Sequence, residues 1–106
     1  MATKPVQSPD GDVAVAETVP KLKEPTQYAV VLHNDDYTPM EFVIDLLAKF
    51  FSKNQAEAEF IMLQVHHKGS GVAGIYTHDI AETKMVQSND YAKKHGHPLK
   101  TTMEAV

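Results

Sequence analysis

The sequence predicts a small α/β domain, a two-layer sandwich in which three helices cover one face of a three-stranded antiparallel sheet. Short β-type runs alternate with segments that repeat apolar residues at three- and four-residue steps, in the order β-α-α-β-α-β. Three strands also need a helical layer over one face to bury a core. The chain of 106 residues is long enough for one such domain.

Residues 1–26 differ from the rest and are predicted to form a disordered N-terminal extension, so the expected domain is residues 27–106. The extension carries four prolines and no aromatic residue, and it has no sustained helical or strand period. Only Asp12–Val19 alternates weakly, with nothing beside it in the sequence to pair with. An edge strand docked on the domain is the alternative interpretation.

The first predicted strand, Tyr28–Leu32, runs directly into a corner and a helix start. Thr38 is suited to cap this helix, with the proline after it in the first turn, and Glu41 would complete a capping box. Tyr37 is expected to pack on Phe42 as a hydrophobic staple. The apolar stripe of the helix is Met40, Val43, Ile44, Leu47, Phe50 and Phe51.

A second helix is indicated by the capping signature of Asn54 and Glu57, and Gly69 is suited to end it. Its predicted stripe is Ala58, Ile61, Met62 and Val65. A glycine-rich strand follows over residues 71–76, where the glycines permit close backbone approach.

Thr77 can cap a third helix, which is predicted to end at Gly96 after a run of cations. One stripe of this helix carries Ala81, Met85, Ser88 and Ala92. Alternation over residues 99–104 predicts the last strand.

Composition excludes several classes of function. All ten basic residues are lysines against fourteen acidic residues, and this balance, net −4, disfavours a phosphate or nucleic-acid surface because guanidinium groups grip phosphate best. The absence of cysteine excludes disulfides and thiol catalysis and is compatible with a reducing compartment. No apolar run approaches a membrane span, and no signal segment is evident. We therefore expect a soluble cytoplasmic protein without nucleic-acid or membrane partners.

The corner of Asn34, Asp35 and Asp36 offers hydrogen-bond acceptors, which suit a small cation rich in donors. A phosphotransferase of the haloacid dehalogenase type would need an aspartate where Asn34 stands. Magnesium or calcium is disfavoured because adjacent side chains on an extended segment point in opposite directions. A solvated acidic turn at a helix start is the simplest alternative.

Six histidines raise the question of zinc. The pairs His66–His67 and His95–His97 lack both cysteine partners and the four-residue helical spacing of a zinc-binding face, so no metal is expected. His66 is distinct because it flanks the apolar stripe of the second helix. Pairs of apolar residues at three-residue spacing are explained either by core packing or by an adaptable pocket: Met40 with Val43, and Met62 with Val65.

Four motifs, in this order and spacing, resemble the ClpS adaptor family. They are the run 34–43, the set Met62, Val65 and His66, the tetrad 81–84 and the triplet 97–99. The resemblance covers about residues 28–104. It implies a small α/β adaptor that recognises substrates with destabilising N-terminal residues and delivers them to the AAA+ unfoldase of a Clp protease, usually ClpA.

The resemblance also implies the roles of individual residues. The substrate's α-amino group would be held by Asn34 and His66, with Asp35 and Asp36 close by. Its first side chain would enter an apolar pocket lined by Leu32, Thr38, Met40, Val43, Met62, Val65 and Leu99. Met40 matches the position that acts as a gate against β-branched side chains.

A second surface is implied to dock on the N-terminal domain of the unfoldase, through Tyr76, Asp79, Glu82, Thr83 and Lys84. Asp79 is one methylene shorter than the glutamate expected there. In the family, an N-terminal extension such as residues 1–26 is required for substrate hand-off.

The expected function is therefore a non-enzymatic adaptor for N-degrons that begin with Leu, Phe, Tyr or Trp, and no cofactor is expected. Two alternatives remain open. One is a small hydrolase or transferase that uses Asp35 or Asp36 with His66. The other is a protein-interaction domain like the ribosomal stalk domain, without recognition of an N-terminal amine.

Overall fold

The computed structural model describes residues 26–106, and the order of its elements is the predicted one. The strands are β1 (Gln27–His33), β2 (Ser70–Thr77) and β3 (Lys100–Ala105), and the helices are α1 (Met40–Phe51), α2 (Gln55–Lys68) and α3 (His78–Lys94). The sheet is antiparallel in the order β2-β1-β3. The predicted α/β sandwich is confirmed. The predicted extension, apart from Thr26, lies outside the described residues.

The core lies between the sheet and the three helices. Val30 and Leu32 on the inner face of β1 are fully buried. The buried stripe of α2 is the predicted one, Ala58, Ile61, Met62 and Val65. In α1 the buried residues are Val43, Leu46, Leu47 and Phe51. Leu46 lies three residues after Val43 and fits the same helical period, although the predicted stripe did not include it.

The other face of β1 carries Ala29 and Val31, which pair across the strands with Ile75 and Val72 of β2. Because the helices pack on the opposite face, Ile75 and Val72 remain about half exposed. We call this the outer face of the sheet.

The ends of α2 follow the sequence signals. The Asn54 side chain accepts from the Glu57 N–H at 2.8 Å, and the Glu57 carboxylate accepts from the Asn54 N–H at 2.9 Å. Gly69 ends the helix in the left-handed region, with φ of 91°, where an L side chain would be strained. At the other end of α2, the reciprocal bonding of Asn54 and Glu57 satisfies amide donors that the first turn of a helix leaves free.

The predicted start of α1 is wrong in its details. Pro39 occupies the cap position without a side-chain cap bond, so Thr38 does not cap the helix and Glu41 closes no capping box. Tyr37 is 80% exposed and forms no staple, while Phe42 packs against the rings of His97, at 4.4 Å between centroids, and Tyr91. Tertiary contacts with α3 and the segment after it therefore replace the local staple.

Thr77 does precede α3, but its side chain makes no cap bond. By contrast, the predicted close approach at β2 is present. A Cβ atom at Gly71 would lie 2.9 Å from Val65 Cγ2, which is closer than real Cβ contacts allow. Gly71 thus sets how near α2 can lie to β2.

Candidate functional site

A tight turn held by Asp35 connects β1 to α1. One Asp35 carboxylate oxygen accepts from the Tyr37 and Thr38 N–H groups, each at 2.8 Å, and the other accepts from Thr38 Oγ1 at 2.8 Å. Asp35 therefore holds the corner in shape. This is also the reason why Thr38 does not cap α1, since its hydroxyl is used inside the turn.

The turn changes the acidity of Asp35. Partial burial by itself raises the pKa of this carboxyl, but the hydrogen bonds from Thr38 and from the Tyr37 and Thr38 amides lower it, helped by the nearby His97. The balance leaves the pKa of Asp35 below its ordinary value. The corner thus carries a carboxylate at neutral pH.

The end of α2 is fastened to the same corner. The Asn34 N–H donates to the Gly69 carbonyl at 2.9 Å, so the residue that ends α2 contacts the residue that follows β1. His66 in the last turn of α2 is exposed, and its ring lies against that of His67 with centroids 5.1 Å apart. Within residues 26–106, neither the Asn34 nor the His66 side chain has a hydrogen-bond partner.

A cavity of about 360 Å³ opens between this corner, the start of α1 and the end of α2. Its lining is Asn34, Asp35, Asp36, Tyr37, Thr38, Pro39, Met40, Val43, Met62, Val65 and His66. This volume lies at the lower end of the range of small-ligand sites, roughly 300–1,000 Å³. It is large enough for one amino-acid side chain and the amine attached to it.

The cavity brings together nine residues predicted for the site: Asn34, Asp35, Asp36, Thr38, Met40, Val43, Met62, Val65 and His66. The two others, Leu32 and Leu99, are not among the lining residues; both are buried in the core beneath, Leu32 on the inner face of β1 and Leu99 directly before β3. Tyr37 and Pro39 line the cavity although the sequence reasoning assigned them no binding role. Their position inside the corner was the available signal.

Polar and apolar groups are separated within the cavity. Val43, Met62 and Val65 are buried and form an apolar wall, while Asn34 and His66 provide exposed acceptors at the rim. Met40 is 43% exposed at the start of α1 and borders the cavity. An unbranched thioether here can adapt to the shape of a bound side chain.

The second predicted surface lies where β2 leads into α3. Asp79, Glu82 and Thr83 are exposed, whereas Tyr76 and Lys84 are half-buried. Lys84 Nζ donates to the Phe50 carbonyl at 2.7 Å and lies 5.3 Å from the centre of the Tyr76 ring. Burial raises the pKa of the Tyr76 hydroxyl. The structure therefore gives Lys84 an internal role, since it joins α3 to the end of α1.

The cavity and this second surface lie at opposite ends of β1. His33, before the corner, pairs with Ser70, while Gln27 at the other end pairs with Thr77. Six residue steps of strand separate them, about 20 Å at roughly 3.3 Å per residue. The cavity and the second surface therefore do not overlap.

One group among residues 26–106 has the geometry to hold a metal ion. Ligand atoms of His78, Asp79 and Glu82 lie within 4.8 Å of one another, and all three residues are exposed. They stand on the first turn of α3, where the positive end of the helix dipole disfavours a cation. His78 and Asp79 already contact each other at 3.1 Å. Neither histidine pair considered from the sequence belongs to this group.

No helix in the described part of the chain is both long and apolar enough to cross a membrane.

With this geometry established, comparison with known proteins identifies the class. The sequence matches the family of the ATP-dependent Clp protease adaptor protein ClpS over residues 23–102. This match covers most of the chain, so the chain belongs to the ClpS family.

The sequence similarity to curated relatives extends over nearly their whole length. The ATP-dependent Clp protease adapter protein ClpS of Hydrogenovibrio crunogenus is 50% identical over 106 residues, covering 100% of both chains. That of Parvibaculum lavamentivorans is 52% identical over 94 residues, which are 89% of this chain and 86% of the relative. These proteins are named as adaptors and not as enzymes.

A solved structure has the same fold. Agrobacterium tumefaciens ClpS2 bound to L-phenylalaninamide is 40% identical to this chain, with a TM-score of 0.76. The match covers 78% of this chain and 100% of that one.

Proposed function

We propose that this protein is an adaptor that recognises destabilising N-terminal residues, Leu, Phe, Tyr or Trp, and delivers their bearers to a ClpA-type unfoldase of the Clp protease. The observation that carries the proposal is the cavity, in which exposed acceptors of Asn34 and His66 border an apolar wall. The adaptor names of the relatives and the ligand of ClpS2 support it.

Recognition of a chain terminus follows from counting hydrogen-bond donors. A free N-terminus is an ammonium with three donors and a positive charge, whereas an internal peptide group offers one donor and no charge. The Asn34 oxygen and a neutral His66 nitrogen accept from the ammonium, and the carboxylates of Asp35 and Asp36 supply a negative field. An internal amide leaves acceptors unmatched, each at about 1–3 kcal/mol.

Recognition of the side chain follows from the apolar wall. Val43, Met62 and Val65 can remove a Leu or Phe side chain from water, which is worth roughly 1.5–3 kcal/mol. L-phenylalaninamide, bound by the relative ClpS2, has the two features this cavity selects, a free α-amine and an apolar side chain. Charged or very small first residues gain little here.

Delivery uses the other end of the molecule. We infer that Tyr76, Asp79, Glu82, Thr83 and Lys84 contact the N-terminal domain of the unfoldase, in the cytoplasm. The separation of about 20 Å along β1 supports simultaneous binding of substrate and unfoldase, as an adaptor requires. Because Lys84 also joins α3 to α1, it would contribute to docking mainly by supporting the exposed acidic residues.

The decisive test compares peptides that differ only at their N-terminus. A fluorescent peptide that begins with Phe should bind at least about tenfold more tightly than its N-acetylated form, because acetylation removes the charge and two donors. His66→Ala should weaken binding of the free peptide, while His67→Ala is the matched control. Equal affinity for free and acetylated peptides in fluorescence anisotropy would instead favour a general interaction domain.

A further inference from the structure

The outer face of the sheet is an apolar surface that the proposed function does not use. A shallow groove of about 370 Å³ crosses it, lined by Ala29, Val31, Gln64, Lys68, Ser70, Gly71, Val72, Glu104 and Val106. Val72 is 44% exposed and Ile75 about half exposed. Val106 at the end of the groove is 69% exposed, whereas Ala29 and Val31 are buried, so Val72, Ile75 and Val106 are the apolar side chains left to a covering segment.

We propose that residues 12–19 of this chain's own N-terminal extension pack in cis on the outer face. The extension enters the fold at the start of β1, directly beside this face. The six residues 20–25, between this segment and the described chain, span up to about 20 Å when extended, which is close to the length of β1 itself. Every point of the groove is therefore within reach.

The sequence of the segment matches an apolar face. In an extended conformation Val13, Val15 and Val19 share one side, because alternate side chains point the same way. Glu17 also lies on that side, where the Lys68 ammonium at the rim of the groove can donate to its carboxylate. The outer face thus offers a surface on which the apolar side of this weakly alternating segment can pack.

The order of charges is also complementary. Proceeding away from β1, the extension presents Lys23 and Lys21 first and the acidic residues later. On the outer face, Glu104 pairs with Ala29 near the start of β1, while Lys100 pairs with His33 at its far end. A chain that folds back over the sheet therefore brings opposite charges together at both ends. Glu24 lies too close to the strand to take part.

A tethered segment is favoured over a second copy of the chain. A short linker keeps the local concentration of the segment in the millimolar range, so even a weak apolar contact is populated. The contact is independent of the proposed function, since it needs neither the cavity nor an unfoldase. It would hold the extension against the domain until something else binds it.

The test uses the full chain, whose lack of cysteine permits one specific label. Ala16→Cys carries a nitroxide, and line broadening is measured at every backbone amide by NMR. We expect broadening at Val31, Val72 and Thr102 on the outer face to exceed that on α1 by about fivefold or more, as for a tethered contact.

Two surface variants make the test specific. Val72→Glu should remove the excess broadening, whereas Val86→Glu on α3 should leave it; Val86 is the matched control because its exposure is 47%. Equal broadening of both faces, or persistence in Val72→Glu, overturns the proposal. Broadening that appears in a mixture of isotope-labelled chains with separate spin-labelled chains overturns it too, because the contact is then between two copies.

Discussion

At the scale of single residues, some side chains of the corner hold the turn and others face the cavity. The sequence alone does not show which does which. Asn34, Asp35 and Asp36 are three adjacent acceptors, but both carboxylate oxygens of Asp35 accept hydrogen bonds within the turn itself. Asn34 and His66 keep their acceptors at the cavity rim. Asp35 thus shapes the corner, whereas Asn34 and His66 face the cavity.

Replacement of the two aspartates should have unequal effects. Asp35→Ala removes three hydrogen bonds and should lower the free energy of unfolding by about 1–3 kcal/mol as well as weaken peptide binding. Asp36→Ala, the matched control at an exposed position, should leave stability unchanged and lose only part of the negative field. Urea denaturation measures the stability of the two variants and peptide titration measures their affinity. Equal stability of the variants would show that the turn does not depend on Asp35.

The pH dependence of the corner follows from the lowered pKa of Asp35. A carboxyl whose pKa is lower folded than unfolded stabilises the fold above its unfolded pKa, near ~3.9, and loses this contribution as pH falls through its folded pKa. The wild-type advantage over Asp35→Ala should therefore persist at neutral and mildly acidic pH and shrink only in strong acid. The free energy of unfolding of both proteins, measured from neutral to strongly acidic pH, tests the sign of this pH dependence.

Met40 has two possible explanations, as a gate at the cavity or as a packing residue, and a substitution distinguishes them. As a gate, it would border the cavity and reject β-branched side chains, so Met40→Ala should allow peptides that begin with Ile or Val to bind. Because Met40 is partly exposed, the change should cost far less stability than Met62→Ala, for which about 2–5 kcal/mol is typical of a buried methionine. A folded Met40→Ala protein that still rejects Ile and Val would show that Met40 is not the gate.

At the scale of elements, helix signals were predictive where they are local. The reciprocal bonds of Asn54 and Glu57 lie within one turn and need no tertiary partner, and they form as predicted. Thr77 has the right residue type at the start of α3 but makes no cap bond. Capping residues in a sequence therefore indicate where a helix begins more reliably than which hydrogen bonds hold it.

This difference can be measured. Asn54→Ala should lower the free energy of unfolding by about 0.5–2 kcal/mol, and Thr77→Ala should lower it much less because no side-chain bond is lost. Neither residue lines the cavity, so peptide affinity should be unchanged in both variants. A large loss for Thr77→Ala would mean that its hydroxyl caps α3 in solution.

The sequence indicated the order of elements, the stripe of α2 and most residues of the cavity, because these depend on periodicity and adjacency. It did not indicate that Leu32 and Leu99 lie in the core and not on the cavity lining. That distinction depends on how deeply β1 and the segment that leads into β3 lie beneath the helices. Leu46 is a different case, since its place three residues after Val43 fits the helical period and periodicity could have indicated it.

At the scale of the whole molecule, the cavity and the surface proposed for docking lie at opposite ends of the sheet. β1 is the central strand, bonded on both sides, and it connects the corner at His33 to the end where Gln27 meets Thr77. If the proposed roles hold, a substrate at one end need not move when an unfoldase binds the other. How a substrate would leave the cavity is a separate question, and the predicted extension of residues 1–26 bears on it.

We expect the extension to be required for delivery and not for binding. Its sequence predicts no regular element over residues 1–26, and an extended chain can enter a narrow translocation pore that a folded domain cannot. It joins β1, so a pull on it acts on the strand that ends at the cavity corner. Such a pull could distort the corner and release the bound N-terminus to the unfoldase.

Deletion of residues 1–20 should therefore leave peptide affinity and unfoldase docking unchanged and abolish degradation of a reporter that begins with Leu. The measurement is proteolysis by the reconstituted unfoldase and protease, beside anisotropy with the same truncated adaptor. Val72→Glu in the full chain is the control, because it keeps the extension and removes only the apolar contact proposed on the outer face. If the truncated adaptor delivers as well as the full chain, release does not depend on pulling the extension. In that case docking at the α3 end alone must open the cavity, and variants of Asp79 and Glu82 would then affect release as well as docking.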